Sequence, residues 1–148
     1  MKIRFTKHSD EEHSVQIVRS DGSSEDVRLN SRSFLRHDLA HLAAEECVGL
    51  EDGFWGQVAK GAPLNGEGMG GATIQLAETL AGPIQTLMRT DAPVVRYIAT
   101  LSHLLPDRDC GDLGIAVHEK ARQLQGHWRA TNYGETMEIE WQLNEQSA

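Results

Sequence analysis

Along the first thirty residues apolar and polar positions alternate. Ile3 and Phe5 are separated by polar Lys2, Arg4 and Thr6, Val15 and Ile17 by Gln16, and Val27 and Leu29 by Arg28. A strand sends successive side chains to opposite faces, so this pattern predicts three strands with one apolar and one wet face. Between the second and third lies Ser20-Asp21-Gly22-Ser23, whose Asp-Gly supplies the positive φ of a tight hairpin. Ser9-Asp10-Glu11-Glu12 reads as a polar connection.

The period then lengthens to that of a helix. The spacing predicts a helix from about Phe34 to Val48, with Ser31 and Ser33 as candidate N-caps and Gly49-Leu50 as a glycine stop. Gly53 to Lys60 reads as a short helical piece ending at Gly61. The stretch 62–72 is rich in glycine and is expected to be the most mobile internal loop. Thr73 to Arg89 is helical in pattern, with Gly82-Pro83 expected to break or kink it. Asp91 and Pro93 open a helix with a Val94, Tyr97, Ile98, Leu101 and Leu105 stripe. Asp109 or Asp112 opens a last helix carrying Leu113, Val117, Ala121, Leu124 and Trp128. From Thr136 to Leu143 the alternation returns as a half-buried strand, and 144–148 is expected to fray. The pattern therefore predicts one α+β domain over 1–148. Its N-terminal strands and a C-terminal strand form a mostly antiparallel sheet, with four to five helices packed on one face.

Composition narrows the classes of partner. The 148 residues hold 14 Lys+Arg against 22 Asp+Glu, a formal charge of −8. Affinity for nucleic acid rests on neutralising phosphates, and affinity for anionic lipid on the same cations, so neither partner is expected. No apolar run is long enough to span a bilayer, and MKIRFTKHSD lacks the apolar middle of a signal peptide. Two cysteines, Cys47 and Cys110, make no disulfide framework, and acids rather than bases flank them. A soluble cytoplasmic protein is the expectation.

Candidate chemistry concentrates on the predicted helix 34–48. At 100° per residue, Leu35, Leu39 and Leu42 form an ordinary core stripe, while His37, His41 and Glu45 fall on nearly the opposite side with Phe34, Ala44 and Val48. Two histidines four residues apart can reach one metal ion. The string His37-Asp38-Leu39-Ala40-His41 resembles the HExxH zinc motif, with Asp38 at the position of the general base. Aspartate is one methylene shorter, which weakens that analogy. Eight residues span about 12 Å of helix axis, so Glu45 fits better as an acceptor orienting His41 than as a ligand. A third ligand must come from elsewhere: His118 is the expected one, with His103 and Glu78 as alternatives and His8, His13 and His127 more remote. The plainer reading is that the histidines are packed and hydrogen-bonded, with no metal.

Ser33 to His41 with Glu45, followed by Gly53-Phe54-Trp55-Gly56-Gln57-Val58-Ala59-Lys60-Gly61, resembles small bacterial proteins of uncharacterised function that carry an HDLxH helix and a GFWG segment. The ending, with Trp128, Tyr133-Gly134-Glu135-Thr136 and Trp141, is similar too. The resemblance implies one complete domain and no particular activity.

Other motifs add little. Gly66-Glu67-Gly68-Met69-Gly70-Gly71 follows a helix and lacks the Gly-Lys-Ser/Thr of a phosphate loop, and no Gly-x-Ser-x-Gly is present. Phe54 and Trp55 are expected in the core. Two functions from different classes follow. One is a divalent-metal protein, with zinc held by His37, His41 and His118 and a hydrolytic role for Asp38 on an unidentified substrate. The other is a non-enzymatic interaction module whose histidine face is covered by a second subunit.

Overall fold

A computed structural model describes residues 1–90 and 93–142. Strands β1 (Lys2–Lys7), β2 (Glu12–Val18), β3 (Ser24–Asn30) and β4 (Thr136–Glu140) form one antiparallel sheet in the order β3-β2-β1-β4. Between β3 and β4 run α1 (Ser31–Val48), α2 (Phe54–Ala59), α3 (Ala72–Thr90), α4 (Val94–Leu104) and α5 (Cys110–Ala130). This is the α+β architecture that the alternation predicts.

The register explains the core. Phe5 stands opposite Val15 on one side and Met137 on the other, and Ile3 opposite Ile17 and Ile139. All six side chains are buried, while Lys2, Arg4 and Glu138 of the other face are exposed. Each such apolar side chain contributes roughly 1.5–3 kcal/mol on leaving water. Against this face lie Leu39 and Leu42 of α1, Trp55 of α2 and Trp128 of α5, in one continuous core. Phe5 meets Trp55 and Trp128 edge-on at 6.3 and 6.5 Å between centroids. The β2–β3 turn closes as expected: Gly22 has φ 88°, and Asp21 accepts from the Ser23 amide at 2.9 Å.

Several expectations need correction. Helix α1 starts earlier than the apolar period suggests, and its cap is Asn30 rather than Ser31 or Ser33. The Asn30 side chain accepts from the Arg32 and Ser33 amides, where a short acceptor best reaches the free N–H groups. The predicted stop is present, with Gly49 at φ 82° and the Leu50 amide returning to the Glu45 carbonyl at 2.9 Å. Gly82-Pro83 does not break α3, which runs unbroken from Ala72 to Thr90. Proline removes one backbone donor, and burial of Leu80, Ala81, Ile84 and Leu87 on either side outweighs that loss. Asp109 caps α5 through the Gly111 amide. Strand β4 ends at Glu140, although Trp141 stays buried and its amide bonds the Met1 carbonyl at 2.7 Å. Asp91, Leu143 and 144–148 lie outside the described residues. No helix among the described residues is long and apolar enough to cross a membrane.

Helix α1 is not simply two-faced. It is buried nearly all round, with Ala40, Ala43 and Ala44 fully enclosed, because α2, α3 and α5 pack around it. Its small side chains permit that close approach. At the edge of the sheet, β3 is less well covered: Val27 and Leu29 face inward yet are only half-buried. That gap holds the site.

Candidate metal centre

His37 and His41 lie one turn apart on α1, and Glu78 reaches them from α3. His41 Nε2 stands 3.1 Å and His37 Nε2 3.5 Å from the same oxygen, Glu78 Oε1. Ligand atoms of the three residues fall within 4.8 Å of one another, and among the described residues this is the group of His, Cys, Asp or Glu that can close on one ion. A tetrahedral ion with bonds of about 2.0–2.1 Å holds its ligand atoms about 3.3 Å apart, so both histidine–glutamate separations match.

Each histidine is held by its other nitrogen. His41 Nδ1 donates to Glu45 Oε2 at 2.8 Å, and His37 Nδ1 to Gln85 Oε1 at 3.3 Å. With both Nδ1 atoms engaged by acceptors, the neutral rings present Nε2 lone pairs toward Glu78. Acceptor then faces acceptor, an arrangement that calls for a cation between them. His41 Nε2 is buried and, despite its distance from Glu78, makes no hydrogen bond of acceptable geometry. Burial pushes the His41 ring toward neutrality, but the Glu45 hydrogen bond and the charges of Glu45 and Glu78 outweigh it and raise its pKa. A proton or a metal ion satisfies this site; an empty one leaves it in repulsion.

Glu45 does more than orient His41. Its carboxylate is fully buried and accepts from the backbone amides of Phe54 and Trp55, both at 2.9 Å, and of Gly56 at 3.4 Å. It therefore caps the otherwise unsatisfied start of α2. A Cβ on Gly53 would stand 2.4 Å from the Glu45 carboxyl carbon, and one on Gly56 2.0 Å from the Glu51 carbonyl oxygen. Glycine on either side of Phe54-Trp55 is thus what lets α2 sit down on Glu45. The Trp55 indole donates to the Asp38 carbonyl at 3.1 Å, a second tie from α2 to the histidine turn.

The group opens into a cavity of about 520 Å³. Its walls come from Val15, Val27 and Leu29 of the sheet, Phe34 of α1, Phe54 and Trp55 of α2, Leu64, Asn65, Gly66 and Met69 of the glycine-rich loop, and Ile74 of α3. Asp38 lines it too; burial pushes its carboxyl up to about 7, the charge of His41 partly opposing and that of Glu78 adding. His41 is 2% exposed, His37 35% and Glu78 53%, so the group runs from the interior to the cavity mouth.

His37, His41 and Asp38 thus share one site, and Glu45 holds the position expected of it. His118 does not join them: it is half-buried on α5, and the converging third group is Glu78. His103 is exposed on α4, and His13 is buried in the sheet, bonded through Nδ1 to Ser31 Oγ at 2.8 Å. Burial, and then the charge of Glu46, pushes the Cys47 thiol up to about 11, which disfavours its thiolate. Gln85 escapes sequence reasoning altogether, since a glutamine on a helix carries no signal of what it faces.

The chain matches no protein-family model, no curated protein and no solved structure. The resemblance carried by the HDLxH helix, the GFWG segment and the C-terminal ending therefore rests on the sequence alone.

Proposed function

We propose that the protein binds one divalent metal ion, zinc by preference, through His37 Nε2, His41 Nε2 and a Glu78 carboxylate oxygen, and that the site serves hydrolysis. The observation that carries this reading is the convergence of two Nε2 atoms, each with Nδ1 already engaged, on one carboxylate oxygen. Two imidazoles and a carboxylate suit zinc, and three protein ligands leave a fourth position. Zinc bound there supplies Lewis acidity, which acidifies water and polarises a carbonyl. Asp38, in the cavity wall with its pKa near neutrality, is the group suited to take a proton.

The test is elemental analysis and zinc titration of untagged protein. One zinc per chain is expected, lost in His41→Ala and Glu78→Gln and kept in Asp38→Asn, which should abolish only hydrolysis. Wild-type protein with no measurable zinc affinity overturns the reading. A second reading, a module whose histidine face meets another subunit, draws support from Phe34, which is 44% exposed beside the cavity. A dimer that Phe34→Ser disrupts, in protein that takes up no metal, would establish it instead.

A further inference from the structure

We infer that the cavity takes a medium-chain aliphatic carboxylate, its chain against the apolar walls and its head on the metal. This rests on the metal reading above and adds the class of ligand.

The polarity of the lining is segregated. His37, His41 and Glu78 gather within 4.8 Å of one another, and Asp38 adjoins His37 and feels the charges of His41 and Glu78. Beyond these, only Asn65 and the Trp55 indole bring a polar side-chain group to the lining. The Asn65 Oδ1 accepts from the Glu67 amide at 2.9 Å, which leaves its NH2 group as the single donor Asn65 can offer, and the Trp55 indole is taken up by the Asp38 carbonyl. A sugar or nucleotide needs several fixed donors and acceptors around it, and these walls do not supply them. No lysine or arginine lines the cavity, so a phosphate finds no fork of donors. What remains is a body that is apolar throughout with one polar head. The volume of about 520 Å³ lies within the range that encloses small organic ligands. Met69 gives one wall an adaptable side chain suited to an unbranched chain.

Charge decides the head. Two neutral imidazoles and one carboxylate leave a bound divalent ion with a net charge of about +1, which a carboxylate neutralises. Without the ion that positive charge is gone, and the Glu78 carboxylate, 53% exposed at the cavity mouth, meets a carboxylate head with like charge. An alkylamine should show the reverse preference. The acid is also what hydrolysis of an acyl ester would leave: water adds across the acyl C–O bond, giving this acid and an alcohol.

Calorimetry with octanoate, acetate and octylamine on zinc-loaded and metal-free protein tests the inference. Octanoate should bind the zinc-loaded form at least tenfold more tightly than the metal-free form. Acetate, which lacks six methylenes to bury, should bind at least a hundredfold more weakly. Octylamine should prefer the metal-free form. Ile74→Asn and Val27→Asn, two wall changes on different elements, should keep stoichiometric zinc and lose octanoate. Stoichiometric zinc without octanoate binding overturns the ligand class and leaves the metal site standing. Octanoate binding that ignores zinc, or octylamine favouring the zinc-loaded form, also overturns it. Absence of zinc binding overturns the metal reading itself.

Discussion

Glu45 is the residue on which most of the site depends, because one buried carboxylate serves His41 and three amides of α2 at once. Glu45→Gln keeps an oxygen for the Trp55 and Gly56 amides but turns an NH2 group toward His41 and toward the Phe54 amide, which share the other oxygen. The ring must then accept at Nδ1 and carry its proton on Nε2, the atom that faces the metal. Zinc affinity is expected to fall about 10–100-fold, read by titration. The raised pKa of His41 sets a pH dependence of the same site. Zinc must displace that proton, so affinity should rise with pH until the raised pKa is passed and fall about tenfold per unit below it. His13 works in the opposite direction. Burial, and then the charge of His8, lowers its pKa to about 4, so the fold holds it neutral. Between pH 6.5 and 4 the unfolded chain takes up a proton that the folded one refuses, and stability falls with pH. The loss reaches about 3 kcal/mol at pH 4. Urea denaturation at pH 7 and 4.5 should show it, with a flatter profile in His13→Gln. At this scale the HDLxH spacing and Glu45 were legible, because a helix fixes which residues four apart share a face. Glu78 was one candidate among several and Gln85 was invisible, since their roles depend on which helix lies across from α1.

The short helix α2 is held by geometry more than by its own length, six residues being too few to persist alone. Its flanking glycines should therefore be intolerant of a methyl group. Gly56→Ala meets backbone at Glu51 and should cost about 2 kcal/mol or more in thermal denaturation. Gly53→Ala meets the Glu45 carboxyl and should lower zinc affinity as well as stability. The glycine-rich segment behaves differently. Its start is tied down by Arg19, which donates to the Val58 and Ala62 carbonyls at 2.6 and 2.8 Å and pairs with Glu25. Beyond Leu64, Gly66, Gly68 and Gly71 all have positive φ, and a Cβ on Gly68, Gly70 or Gly71 would meet nothing. Amide exchange across 65–71 should be the fastest of any internal segment, and strong protection there would refute it. Element identity was readable wherever the period was clean. The exceptions have physical causes: a proline tolerated because its helix is packed on both sides of it, and a cap supplied by the last residue of a strand.

For the whole molecule, the fold class followed from alternation at both ends of the chain. The strand order did not, because a β1-β2-β3 meander offers two open edges and the pattern of β4 suits either. Pairing β4 with β1 completes a central apolar row and leaves β3 as an edge beside the cavity. A ligand that bridges α1 and α3 should therefore stabilise the entire fold. Free zinc at a hundred times its dissociation constant adds about 2.7 kcal/mol, which should raise the Tm by roughly 5–10 °C for a chain of this size. Thermal melts with zinc and with a chelator measure it.

The pairing of β1 with β4 also has a consequence for synthesis. Thr6 and Thr136 face each other across it, 130 positions apart in the chain. A ribosome adding 5–20 residues per second delivers the last strand roughly 6–26 seconds after the first. Through that interval one side of β1 is bare, a template for the same strand of a neighbouring nascent chain. Lys2 and Arg4 set like charges against such a copy in register. When β4 emerges, both find Glu138, at 3.6 and 3.3 Å. The charges that turn the wrong strand away are the ones that receive the right one.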